Sequence, residues 1–219
     1  MTLLEFARGP GLYWATIIFV LGIVWRLAGA LLLPRLKDYS TARDKANFKN
    51  GIRTIITRSA PAHELEKNIK FQHYTGYIWH IGLFIVILFY APHIAFFKSI
   101  LGFGWPNLPT NIISIASAIT MAVLLALLIR RMMHPVLKMI SNADDYISWF
   151  VSFFPLLTGS MAFAHIDIGI RYETMLAIHI LSVELLMIWF PFGKLIHGLT
   201  IWPSRYQLGV TFGRRGVKA

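Results

Sequence analysis

The chain has 219 residues, of which 56% are hydrophobic and only 14% charged, and its mean hydropathy is +0.60. This composition excludes an ordinary soluble domain, in which about a quarter of the residues are charged. The absence of cysteine excludes disulfides and thiolate-bound metal clusters, and the net charge of +11 has to be explained by where the basic residues lie.

Apolar windows along the chain predict five membrane-spanning helices. They lie at about 11–33, 74–97, 111–133, 145–166 and 174–202, and each is long enough to cross a bilayer. The first window begins after Pro10 and Gly11, is too long for a cleavable signal peptide and lacks a small-residue cleavage pattern, so we expect it to be retained. We therefore predict an all-α fold, with one membrane domain over residues 1–219 built as a bundle of five helices.

The basic residues predict how this bundle is oriented. Seventeen of the 21 Lys and Arg residues lie in the loop 34–73, in the loop between the third and fourth windows, or from position 194 to the end of the tail 203–219. By the positive-inside rule these segments are cytoplasmic, and the amino terminus is outside. The pattern predicts a location in the inner (cytoplasmic) membrane. The net positive charge is explained by basic residues gathered on the cytoplasmic side of the membrane, so we do not expect nucleic acid as a partner.

The loop 34–73 is the only long polar stretch. Phe48, Ile52, Ile55 and Ile56 recur there at spacings of three and four residues, which predicts a short amphipathic helix. Such a helix would lie on the membrane surface or dock a partner. A solvated basic connection held near anionic lipids is the alternative interpretation.

Four of the eight histidines fall inside predicted spans, where polar groups are costly and commonly functional. His179 and His197 are eighteen positions apart, which makes five helical turns, so both would leave one helix face about 27 Å apart. The second and fifth spans run antiparallel in the predicted topology. His80 is therefore level with His197 near the cytoplasmic surface, and His93 is level with His179 near the outer surface.

The second span raises a geometric difficulty. Thirteen residues separate His80 from His93, and in a straight helix the two would point about 140° apart. Pro92 cannot donate the main-chain hydrogen bond to Leu88, so a kink there can re-aim His93. Pro191 makes the shared face of the fifth-span histidines approximate for the same reason. His73, at the interface, is the alternative inner ligand, and we favour His80.

The arrangement in pairs indicates which metal group would fit. Structural or catalytic zinc requires three or four ligands at one point, whereas these histidines form two pairs nearly a bilayer apart. Bis-histidine haem b needs only two axial imidazoles from facing helices. Because both axial positions of the iron would be taken, the expected work is electron transfer.

Three segments resemble a known family. The runs HILSVELLMIWFPFGKLIH, WHIGLF and NADDYISW are similar to the gamma subunit of respiratory nitrate reductase and its relatives, which include the membrane cytochrome b subunits of the Dsr-type complex of sulfur metabolism. The resemblance implies that His80 and His197 bind the inner haem iron, and His93 and His179 the outer one. In nitrate reductase the second histidine comes ten residues after the first, where this chain has Tyr90.

The same resemblance implies partners. A quinol, the reduced form of menaquinone or another quinone, would react near the outer haem. Electrons would pass to an iron–sulfur subunit on the cytoplasmic side, and the complex would contain further membrane subunits. The chain would then be the quinol-reacting subunit of an oxidoreductase complex and not a complete enzyme, with the direction of electron flow left open. Arg26 and Lys194 are candidates for binding the inner haem propionates, and Lys98 and His165 for the outer quinone pocket.

Glu184 and a longer first loop depart from the nitrate reductase pattern and favour the sulfur-metabolism branch or another relative. Glu184 lies about 140° around the helix from His179, so it would face a neighbouring subunit, bond locally or carry protons. Two further functions stay open. One is a haem-free transporter or structural anchor, although no internal repeat is present. The other is a haem reductase that works without a docked cluster subunit.

Overall fold

The computed structural model describes residues 1–32, 39, 41–44, 48–61, 63–165 and 169–217, and these ranges contain helices and no strand. The all-α prediction is confirmed. The helices are α1 (Leu3–Leu32), α2 (Phe48–Thr57), α3 (His63–Phe89), α4 (Ala91–Leu101), α5 (Thr110–Met133), α6 (Pro135–Ile140), α7 (Ala143–Ala164), α8 (Tyr172–Trp189) and α9 (His197–Arg214).

Four helices, α1, α5, α7 and α8, are each long and apolar enough to cross a membrane. A fifth crossing is possible if Ile69–Phe89 of α3 and α4 count together, since they form a pair bent by 64°. Large apolar side chains on these helices remain exposed, including Trp25 at 76% and Ile115 at 60%. Such surfaces suit a lipid environment and not water.

The helices pack in a chain of neighbours. In the described residues, α3 packs on α5, α5 on α7, α7 on α8 and α8 on α1, while α2 packs on α9. No extensive packing joins α3 or α4 to α8 or α9 within the described ranges. The two histidine-bearing halves of the molecule therefore face each other across a gap.

The second predicted span is broken at Tyr90, which adopts an extended conformation between α3 and α4, with Pro92 in the first turn of α4. The break leaves carbonyls at the end of α3 without helical partners, and an apolar setting requires that they be satisfied. The Trp105 indole donates to Leu88 O at 2.6 Å, and the Leu108 amide donates to Phe89 O at 3.0 Å. The loop after α4 thus stabilises the bend that the sequence placed at Pro92.

The fifth predicted span, 174–202, is not one helix. Helix α8 ends at Trp189, a turn follows through Pro191 and Gly193, and a 3₁₀ turn, Lys194–Ile196, leads into α9. The expectation that His179 and His197 share one face of a continuous helix is therefore wrong. Its cause is Pro191, which has no amide proton for the helical ladder.

Helix α1 begins eight residues before the predicted first span. Thr2 and Glu5 form a capping box at its start, and Ala7–Gly11 is a π-helical turn that contains Pro10. Ala7, Ala15 and Gly22 are buried. Small residues let helix backbones approach closely in a bundle, and α1 uses them to pack against α8 and the turn after it.

The predicted amphipathic helix is confirmed as α2. Its buried residues, Gly51 and Thr54, face α9, where Tyr206 lies over Gly51 and Gly209 meets Thr54. The segment expected as a polar tail from 203 is instead helical to Arg214, because α2 covers it. The second span was predicted from 74, but α3 begins at His63, within the predicted loop 34–73, and α4 continues to Leu101. The other span differences are shifts of one or two residues at the ends of α5 and α7, with 33 and 166 outside the described residues.

Replacing Gly209 by Ala should lower the free energy of unfolding by about 1–3 kcal/mol, because the new methyl group would overlap the Asn50 carbonyl and Thr54. Thermal unfolding in detergent, followed by circular dichroism, measures this. Gly29→Ala is the matched control, since nothing lies within 4 Å of its Cβ position. It should be neutral or stabilising, and equal effects of the two changes would contradict the packing described.

Candidate functional site

The two histidine pairs are named inner and outer after the positions that the sequence predicts for them. The inner pair lies where α3 faces the start of α9. His80 is in the middle of α3, and His197 is the first residue of α9, after the 3₁₀ turn. Their ring centres are 6.0 Å apart, with the ring planes at 87°. His73 instead lies against Tyr77, with ring centres 4.9 Å apart.

The outer pair lies where α4 faces α8. His93 lies in the first turn of α4, just after the break at Tyr90, and His179 is in the middle of α8. Their ring centres are 6.2 Å apart and the planes are within 20° of parallel. The 64° bend at Tyr90 changes the direction of α4 and brings His93 to His179, which a straight helix would not do.

Main-chain carbonyls orient three of the four imidazoles through Nδ1. His80 bonds to Gly76 O at 2.6 Å, His93 to Val86 O at 2.9 Å and His197 to Lys194 O at 2.8 Å. Because a carbonyl only accepts, each Nδ1 must carry the proton, and Nε2 of the neutral ring keeps a free lone pair. Metal-binding histidines commonly have this arrangement.

His179 is oriented differently, by α7. Its Nδ1 lies 3.4 Å from Thr158 Oγ1 of that helix. Gly159 lies directly beneath the ring, where a Cβ would be 2.8 Å from Cε1 of His179. The glycine therefore makes room for the imidazole between α7 and α8.

The spacing of each pair suits two imidazoles on opposite sides of one metal ion. A metal–nitrogen bond of about 2.0–2.1 Å places the ring centre roughly 3 Å from the metal, so two trans rings lie roughly 6 Å apart. Among the described residues, no group of three or more His, Asp or Glu could hold a metal ion unaided. Each pair alone is thus one or two ligands short of a zinc site and fits a group that supplies further ligands of its own.

A cavity of about 250 Å³ adjoins the inner pair. It is lined by residues of α3, α5, α7 and the turn before α9, among them His80, His197, Trp149, Arg131 and Lys194. Two cations, the Asp145 carboxylate that pairs with both, and two imidazoles therefore share one space. Anionic groups of a flat apolar cofactor would find charge-assisted hydrogen bonds there.

Asp145 holds both cations in place. Its carboxylate lies 3.0 Å from Arg131 NH1 and 2.6 Å from Lys194 Nζ, and only 9% of the side chain is exposed. Asn142 caps α7 through the Asp145 amide, and the Lys194 amide bonds to the carboxylate of Asp144. The start of α7 thus fixes the turn that orients His197.

Aromatic side chains surround the outer pair. The Tyr90 ring lies 5.2 Å from that of His93 and 5.8 Å from that of Phe163. His165, in a left-handed conformation at the end of α7, stacks on Tyr172 at 4.8 Å. Phe163 and His165 both lie at the carboxyl end of α7, and Tyr90, Phe163, His165 and Tyr172 are together named the aromatic cluster.

The other predicted site residues are placed as follows. Lys194 lines the inner cavity, whereas Arg26 is exposed on α1 and is not among the lining residues. Lys98, in the last turn of α4, and His165 are both exposed. The sequence analysis did not predict Arg131 and Asp145 as site residues. The signals for them were a cation at the end of the third apolar window, which is Arg131, and the acidic motif NADD, which ends at Asp145.

The fold and the paired imidazoles define an all-helical protein with two facing histidine pairs. A protein of Nitratidesulfovibrio vulgaris (strain Hildenborough), named only "Protein", is 26% identical over 222 residues, covering 96% of this chain and 94% of that one. No family model matches the chain. No solved structure matches it either.

Asp145→Asn should reduce the free energy of unfolding by about 1–3 kcal/mol, because Arg131 and Lys194 would lose their shared carboxylate. Thermal unfolding in detergent measures the change. Glu173→Gln is the control, since its ion pair with Arg171 is largely exposed, and it should change stability by less than about 0.5 kcal/mol. A wild-type stability for Asp145→Asn would mean that this network contributes nothing.

Proposed function

We propose that this protein is a dihaem b membrane subunit of a respiratory oxidoreductase complex. His80 and His197 would bind the inner haem, and His93 and His179 the outer one. The observation that carries the proposal is the repeated geometry, since both pairs have ring centres close to 6 Å apart and lie on helices that do not pack directly together.

The hydrogen bonds at Nδ1 support the same assignment. In His80, His93 and His197 they fix the tautomer and leave Nε2 free to bind iron. Haem, when bound, would supply a one-electron iron couple, and the four histidines would hold the two groups. The chain's own contribution is to hold the imidazoles, and Lys194 and Arg131, both paired with Asp145, would bind the inner propionates through their remaining N–H groups.

Topology follows from charge and helix length. We infer five crossings of the cytoplasmic membrane, the second of them bent at Tyr90, with the amino terminus outside and the carboxyl terminus inside. The excess of Lys and Arg on α2, α9 and the connections near them supports this orientation. Arg26, exposed on α1, is free to face lipid headgroups or another membrane subunit.

Partners are proposed from the position of each pair. The aromatic cluster of Tyr90, Phe163, His165 and Tyr172 lies beside the outer pair, where a quinone ring would stack, with Lys98 on the neighbouring helix. The basic cytoplasmic surface suits an acidic iron–sulfur subunit. The resemblance to the nitrate reductase gamma subunit and the Dsr-type cytochromes b supports this order of electron carriers.

A reduced-minus-oxidised visible spectrum of the purified protein should contain b-type bands. His197→Ala should remove one haem and leave the other, because the outer pair uses separate helices. His134→Ala is the control, since His134 is exposed at the start of α6 and faces neither pair. Absence of b-type bands from the wild-type protein would favour a haem-free transporter or anchor.

The outer ligand is tested by two neighbouring substitutions. His93→Ala should remove the outer haem, whereas Tyr90→Phe, at the position where nitrate reductase has its histidine, should retain both haems and change only quinol turnover. Haem content per protein and quinol oxidation rate measure the two effects. Loss of a haem in Tyr90→Phe, with both haems kept in His93→Ala, would reverse the assignment.

A further inference from the structure

Glu184 is a buried carboxyl that the haem pairs do not use. It lies in the middle of α8, is 5% exposed, and its Oε1 is enclosed with no hydrogen-bond partner. Its head contacts α1 at Gly11, where an added Cβ would be 2.6 Å from Oε2 and 3.1 Å from Oε1. Glu184 therefore rests directly on the backbone of a neighbouring helix.

The contacted backbone is the last residue of the π-helical turn Ala7–Gly11. Such turns interrupt the regular hydrogen-bond ladder and are frequent at functional sites. Pro10 adds to the interruption because it has no amide proton to donate. The carboxyl thus meets α1 at the one described segment of that helix where the backbone departs from α-helical geometry.

No described cation faces this carboxyl. On α1, Glu5, Arg8 and Arg26 are exposed, and on α8, Glu173 is exposed and paired with Arg171. His179 faces α7 on the other side of α8, and the acidic residues of α7 lie at its far end, beside Lys194. A carboxylate without a cation, buried in an apolar bundle, would cost several kcal/mol, which a bound proton removes.

We propose that Glu184 and the π turn Ala7–Gly11 form a proton-binding site inside the bundle, in which Glu184 is a neutral acid that exchanges its proton with water. A metal cation would need several oxygen ligands, and only one carboxyl is present here. The site is separate from both histidine pairs. It gives the protein a place to hold a proton within the apolar region, whatever cofactor the histidines bind.

Infrared spectroscopy of the protein in lipid vesicles at neutral pH tests the proposal. The carbonyl stretch of a protonated carboxylic acid should be present, shift in D2O and disappear in Glu184→Gln. Glu173→Gln, on the same helix but exposed, should retain it. A band that persists undiminished in Glu184→Gln, or one that never shifts in D2O, would overturn the proposal.

Two glycines of the same turn give a matched pair. Gly11→Ala should move the carboxyl and shift its band, whereas Gly9→Ala should leave the band unchanged, because nothing lies within 4 Å of its Cβ position. An unshifted band in Gly11→Ala would place the proton elsewhere. Visible bands of haem are recorded on the same samples, so failure of the haem assignment and failure of this one are distinguished.

Discussion

Hydrogen bonding of main-chain carbonyls at helix breaks is the constraint on which this molecule depends. In an apolar bundle each such carbonyl requires a donor, since no water replaces a missing one. Val86 and Lys194 lie beside the two breaks, and their carbonyls are satisfied by His93 and His197. The same hydrogen bonds that make the breaks tolerable therefore aim the imidazoles across the gap.

Different parts of α7 orient one histidine of each pair. In the inner pair, α7 fixes His197 through its start, where Asp144 and Asp145 bind the turn that contains Lys194. In the outer pair, α7 fixes His179 through Thr158 and Gly159 in its middle. Helix α7 carries no site histidine, yet it positions His179 directly and His197 through the turn.

Much of this could be predicted from the sequence, and the remainder could not for physical reasons. Hydropathy located the long helices, and the four histidines were singled out because they are polar residues inside apolar windows. Pro92 predicted a kink but not its direction, which depends on Trp105 and Leu108 capping the freed carbonyls. The meeting of Arg131, Asp145 and Lys194 joins three distant segments, and Glu184 meets Gly11 across more than 170 residues of chain, so neither contact is visible in local spacing.

The turn between Trp189 and His197 has a further consequence for the length of the chain. Helix α9 rotates by about 100° for each residue. His197 at its start faces His80, and Gly209 and Gly213 towards its end pack against α2. Inserting or deleting a single residue in this turn would reorient α9 and so displace both contacts at once. The number of residues in this turn is therefore constrained by the position of the inner imidazole and by the cover that α2 provides.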